Sequence, residues 1–531
     1  MKVYQRSHAA AGAVALMMGV LFAAVAQNTS TGVQVLVKGA PIHGANGLRF
    51  DSQDRLYIAS LWGNEIVVMD PKTGKILQRI GADRGVFGPD DLVFGPDGSL
   101  YWTSMLGGQV GRLAPDGSTK TQPVAAGTNP ITFSRDGRLF VGLCILGDGL
   151  FELDPALERP PTAITKEAGM LNGFDFGPDG MLYAPVYFEG RIVRLNVNSV
   201  PPKYETLATG FEVPSALKFT SQGQLYGHSQ LTGELWYLNP KTGLKRRAAM
   251  LPPGSDNLAF DSTDRLFASN MDGAIYEAFL GMVRKVSPGG MILPGGVAVV
   301  ARPGAAESVF VADAWTLREF NGQTGQPLSA QESSFAVPSG IAAPFTVSAD
   351  GGNVVISSWV GSSVQVWNPD TRKVVENYTG LSAPLDAIRF QGGLIATELG
   401  THSVIRLTPA GRTTLTDSLI VPSGLAASGG DLWAADWASG MVWKIVAGGA
   451  PVMIPVAKGL AGPEGLAVDQ DGSLLVVESQ AGRLSRIDTS TGGVTQNSVK
   501  PGHSGSASLT DFWDSPSPRA LPGRRGSWTA P

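Results

Sequence analysis

Cysteine is almost absent: Cys144 is the only one in 531 residues, so no disulfide within the chain braces the fold. Histidine is scarce, at five. Neither sign of charge dominates, with 41 Lys and Arg against 45 Asp and Glu. No basic stripe appears, which excludes nucleic acid as the expected partner. A helix-period apolar stripe is also missing, which excludes a helical repeat. Long apolar runs are confined to the start. There, Lys2 and Arg6 precede an Ala-rich run from Ala9 to Val25, and Ala24-Val25-Ala26 supplies small residues. This pattern predicts a signal peptide over 1–26, a mature chain from Gln27, a periplasmic or secreted location, and no membrane association after cleavage, with an uncleaved membrane anchor as the alternative.

Glycine (68) and proline (36) are plentiful, as suits many short strands joined by turns. One phrase recurs. NGLRFDSQDRLYIAS begins at Asn46, DDLVFGPDGSLYWTS at Asp90, NPITFSRDGRLFVGL at Asn129 and NGFDFGPDGMLYAPV at Asn172. SALKFTSQGQLYGHS follows at Ser215 and DNLAFDSTDRLFASN at Asp256. The starts are 44, 39, 43, 43 and 41 residues apart. Weaker copies begin at Gly295, Ser339, Leu385, Ser423 and Glu464, making eleven units. Each unit reads as an apolar run, a D-G or similar turn (the D-G form expected to be type I′), a second run, a polar loop and two further runs. Four short antiparallel strands per forty residues signal a β-propeller. The expected fold is therefore all-β, with two consecutive propellers, the first six-bladed and the second five- or six-bladed. The expected segments are 27–281, 282–498 and a tail at 499–531 that carries no repeat and reads as disordered. A frame shift that removed a twelfth unit is one explanation for that tail. Val33–Gly39 reads as an outer strand closing the sixth blade, with Met282–Ser287 serving the second ring in the same way.

A polar residue stands two places before the first apolar residue of each early unit: Asn46, Asp90, Asn129, Asn172, Ser215 and Asp256. In a propeller these starts gather at one mouth. Amide and carboxylate oxygens are what a hard cation such as Ca²⁺ takes, and the absence of His and Cys from this column argues against zinc. Asn and Asp also favour turns by bonding nearby backbone, so a purely structural column is the alternative.

The phrases NGFDFGPDGMLY at Asn172, PDDLVFGPDGSLYWTS at Pro89 and SDNLAFDSTDRLFAS at Ser255 resemble the six-bladed gluconolactonase, senescence-marker-protein and paraoxonase-type hydrolases, over roughly Val33 to Gly281. The resemblance implies a calcium cofactor held at the blade starts, with Asn129, Asn172, Asp256 and Asn257 as ligands and Asp90 behind them. It also implies hydrolysis of a small lactone or ester. The phrase x-P-D-G-x-L-Y is shared with NHL-type binding propellers and with streptogramin-lyase-like proteins. A non-catalytic propeller and an elimination enzyme therefore stand as alternatives.

Hydrolysis needs a general base at the same mouth. His228 and Glu189, expected in loops between second and third strands, and His43, three residues before Asn46, are the candidates. Trp62, Met105 and Phe188 in similar loops are candidates for an apolar wall. No Gly-x-Ser-x-Gly occurs in a strand-to-helix setting, which excludes the usual serine hydrolase. The tryptophans of the second half are expected to pack between blades, with a carbohydrate- or protein-docking surface as the alternative.

Overall fold

The computed structural model describes residues 35–332, 339–446 and 452–497. The expected signal peptide and the tail at 499–531 lie outside them. The described chain forms eleven four-stranded antiparallel sheets, each wound in chain order from its inner strand outward. Among the described residues there is no α-helix, only two short 3₁₀ turns. The fold is all-β and of propeller type.

The turns explain the repeated phrase. In Gly95–Ser99 the Gly95 N–H donates to Ser99 O at 2.8 Å, and Gly98 adopts a φ of +80°. Asp97 does not share a positive φ, so the expected type I′ turn is corrected. The loop Pro96-Asp97-Gly98 is a three-residue hairpin in which only glycine takes the left-handed place.

In the first unit the inner strands are Ala45–Phe50, Pro89–Phe94, Thr128–Phe133, Asp175–Phe176, Pro214–Phe219 and Ser255–Phe260. Each packs against the next, and Ala45–Phe50 also packs against Ser255–Phe260, which closes the ring. Apolar clusters fill the spaces between adjacent sheets. One joins Leu48, Ile58 and Val67 to Phe267 and Ile275, across the seam between the first and sixth sheets.

That seam is not sealed as expected. The fourth strand of the sixth sheet is Met282–Ser287, paired with Ile275–Phe279, so this strand completes the sixth sheet and does not serve the second ring. The described part of Val33–Gly39 forms no strand and lies elsewhere. The turn between third and fourth strands normally presses on the outer strand of the preceding sheet. A Cβ on Gly74 would stand 2.2 Å from Val286 O, and one on Gly243 would stand 2.1 Å from Leu207 O. On the seventh sheet, Gly325 meets Leu36 O in the same way, at 2.1 Å. The segment around Leu36 thus lies against the turn between the third and fourth strands of the seventh sheet.

The second unit runs from the inner strand Pro294–Val300 through Thr346–Asp350, Pro384–Phe390 and Pro422–Ser428 to Pro463–Val468. Each packs on the next, but packing of that extent does not join the last to the first. Val297 and Val299 on Pro294–Val300 stay exposed. Trp367 packs against Phe310 between the seventh and eighth sheets, and Trp437 donates to Ser479 Oγ between the tenth and eleventh. Trp433 is buried in that same tenth–eleventh cluster, as the interblade reading expected.

Candidate active site at the mouth of the first ring

In most sheets of the first ring the polar residue that starts the inner strand occupies a β-bulge. Register shifts fall between Ala45 and Leu48, Pro89 and Leu92, Thr128 and Ile131, and Ser255 and Leu258. A bulge inserts an unpaired residue and re-aims side chains. Asn46, Asp90, Asn129, Ser215 and Asp256 are each the second residue of their inner strand. Asn172 precedes its shortened strand Asp175–Phe176. Glycine follows Asn46 and Asn172 for want of room. A Cβ on Gly47 would stand 2.6 Å from Asp91 Cα, and one on Gly173 2.7 Å from Ala216 Cα.

Three of these residues are drawn together by hydrogen bonds and charge. Asn46 Nδ2 donates to Asp90 Oδ2 at 3.3 Å. Asp90 is 2 % exposed, and its Oδ1 is buried with no partner. Burial, then the charges of Asp256 and Asp91, push its pKa well above the usual carboxylate range. Asp256 keeps some solvent contact. Desolvation and then Asp91 raise it to about 7, eased by Ser215. Its Oδ1 accepts from Gln230 Nε2 at 3.2 Å and Ser215 Oγ at 3.4 Å. Tyr187 donates to Gln230 Oε1 and so fixes which way that amide points. Cys144, buried beside this group, has its thiol pushed up by burial and then by Asp90. Among the described residues no Lys, Arg or His forms an ion pair with Asp90 or Asp256.

The remaining expected ligands lie around or beneath this pair. Asn129 Nδ2 faces Met105 Sδ at 4.0 Å, and Asn172 Oδ1 accepts its neighbour's Gly173 N–H at 2.9 Å. Asn257 belongs to a deeper layer. Its Oδ1 accepts from Leu258 N at 2.9 Å and its Nδ2 donates to Asp91 Oδ1 at 3.2 Å, so its amide is already used in joining strands. Among the described residues, no three His, Cys, Asp or Glu side chains form a metal cluster. A cation here would need amide oxygens in addition to the two carboxylates.

The expected bases are placed differently. His228 is not in a loop: it lies within the strand Leu225–Ser229 and is fully buried. Its Nε2 sits 2.9 Å from Ser255 O, its Nδ1 has no partner, and burial lowers its pKa to about 4. It bridges the fifth and sixth sheets. Glu189 does lie in a loop, exposed and ion-paired with Arg191 at 2.6 Å. His43 is partly buried next to Ser60. Burial and then Arg79 lower its pKa, while Asp313 of the second unit acts against them.

The proposed wall also divides. Trp62 packs with Trp315, Ile292 and Leu293, where the two units meet. Phe188 stays at the mouth, 57 % exposed and edge-on to Tyr187. Met271 joins it there, with its Sδ 2.9 Å from Gln230 Nε2. Gln230, Tyr187 and Cys144 were missed in the sequence because they stand outside the repeated phrase. The one signal was their shared place at the end of the second strand or just after it.

No known family pattern and no curated protein matches the chain. Among solved structures, it is similar to a gluconolactonase from Xanthomonas campestris, at 15% identity over 46% of this chain and 86% of that one, with a TM-score of 0.38. It is also similar to virginiamycin B lyase from Staphylococcus aureus, at 12% identity over 67% of this chain and 92% of that one, with a TM-score of 0.24.

Proposed function

We propose that the protein is exported and that the mouth of its first ring holds a divalent cation, calcium by donor type, and hydrolyses a small lactone or ester. One observation carries this reading. A buried carboxylate, Asp90, leaves one oxygen unpartnered beside a second carboxylate of raised pKa, with no cationic side chain paired to either. Uncompensated buried charge of this kind is costly, and a hard cation with oxygen ligands resolves it.

Asp90 would hold the ion, with the amide oxygens of Asn46 and Asn129 beside it and Asn172 at the rim. When bound, the ion supplies a Lewis acid that polarises the substrate carbonyl and stabilises the developing oxyanion. Asp256 keeps Oδ1 on Gln230 and Ser215, while among the described residues Oδ2 takes part in no hydrogen bond. A carboxylate with a pKa of about 7 is suited to take a proton from the attacking water at that free oxygen. Phe188, Met105 and Met271 shield the reacting carbonyl from bulk water. His228 acts as an interblade brace in this scheme.

The test is a lactone and ester panel read by product mass. Hydrolysis adds one water, and activity should fall on EDTA treatment and return with calcium. Asp256→Asn should lower kcat by about 10²-fold or more, the usual contribution of a positioned base. A product of unchanged summed mass would point to elimination instead.

A further inference from the structure

Beneath the acidic mouth, the inner strands bring a second group of side chains to the channel. Arg49, Thr132, Asp175 and Lys218 each stand one residue before the Phe that ends their strand. They therefore share one level of the ring. Two are cations, on the first and fifth sheets. Lys218 is 1 % exposed, and among the described residues its ammonium donates only to Phe174 O, at 3.3 Å. Arg49 forms no ion pair or hydrogen bond among the described residues, and its Nε is buried without a partner.

The nearby carboxylates do not satisfy them. Asp175 accepts from Phe176 N at 3.1 Å, Phe219 N at 3.0 Å and Thr132 Oγ1 at 3.5 Å. Asp91 accepts from Leu92 N at 2.9 Å, Ile131 N at 3.2 Å and Asn257 Nδ2 at 3.2 Å. Both are committed to joining strands, and neither reaches ion-pair distance of Arg49 or Lys218. A guanidinium whose buried Nε–H has no acceptor, beside a buried ammonium, is unfavourable unless something accepts from both.

We propose that the channel of the first ring binds one small oxyanion between Arg49 and Lys218. A guanidinium presents a planar fork of donors and an ammonium a compact charge, a pairing that matches the oxygens of a phosphate or carboxylate group. Burial and then Arg49 lower the Lys218 pKa to about 8, against the pull of Asp91 and Asp175. A bound anion would relieve that repulsion. This site lies a layer below Asp90 and Asp256 and stands or falls separately from the hydrolase reading.

The experiment is calorimetric titration of EDTA-treated full-length protein with inorganic phosphate and, separately, with acetate, at fixed ionic strength. Thermal melts are followed in parallel. The expected result is saturable binding of one anion per chain by at least one of the two probes, with a rise in Tm. Arg49→Gln, a partly exposed position, should weaken that binding at least tenfold and abolish the Tm rise. Lys218→Met should do the same if it folds. Absence of saturable binding by both probes overturns the proposal, as does an Arg49→Gln protein that binds like the parent.

Discussion

Asp256, at the mouth, and His228, in the core, are titratable groups with opposite effects on stability. Asp256 has its folded pKa raised from 3.8 to about 7. The native state then holds a proton that the unfolded state has released, so the group's contribution is full below about 4 and is lost as pH rises through 7. Metal-free protein is therefore expected to lose Tm across that window in EDTA, and Asp256→Asn to flatten the loss. His228 has its pKa lowered from 6.5 to about 4. Here the unfolded state takes the proton first, so stability falls as pH drops from 6.5 towards 4. His228→Gln is expected to cost about 1–3 kcal/mol, because the Ser255 carbonyl loses a buried partner, while kcat stays near the parent value. A large fall in kcat without a fall in Tm would restore the histidine to the chemistry.

At the scale of the element, the bulged inner strand is the unit that makes the site. In the second and sixth sheets it places Asp90 and Asp256 in the mouth and uses the next positions, Asp91 and Asn257, to zip strands together. Asp91 spans Leu92 and Ile131, and Asp386 spans Ala387 and Leu425 at 2.9 and 2.8 Å. The second unit adds a carboxylate latch at the end of each of several second strands. Asp436 accepts from Ile420 N and Val421 N at 3.0 and 2.8 Å, and Glu478 accepts from Ala461 N at 2.7 Å. Burial acts to raise Glu478, but Arg483, the Ala461 N–H and Ser485 outweigh it and hold it at about 2. Glu478→Gln leaves Arg483 without its ion pair and is expected to destabilise the second unit by about 1–3 kcal/mol, measured by denaturant unfolding.

Much of this element was legible in the chain. Repeat length, D-G turns and the polar column each follow from local chemistry, and strand alternation did the rest. The partners of that column were not legible. Gln230 meets Asp256, and Tyr187 meets Gln230, because successive sheets turn their loops to a shared axis, and no local pattern encodes that approach. His228 looked like a loop residue because His is polar, yet its ring is accommodated by a single carbonyl on the next sheet. The seam of the first ring was misassigned because Val33–Gly39 and Met282–Ser287 are equally good outer strands, and only packing separates them.

For the whole molecule, closure distinguishes the two units. The first ring meets itself between its first and sixth sheets. The second presents the exposed Val297 and Val299 on its first inner strand. Backbone amides in 294–300 are accordingly expected to exchange faster than those in 45–50, and the second unit to unfold first on heating. Exchange at equal rates in the two strands would contradict this ordering. The central claim concerns the closed ring, and it is tested most directly by titrating calcium into EDTA-treated protein and into its Asp90→Asn variant. The account predicts one bound ion per chain with a raised Tm, stronger as pH rises through 7, and lost in the variant. Failure of the parent protein to bind calcium, or equal binding by the variant, would contradict it.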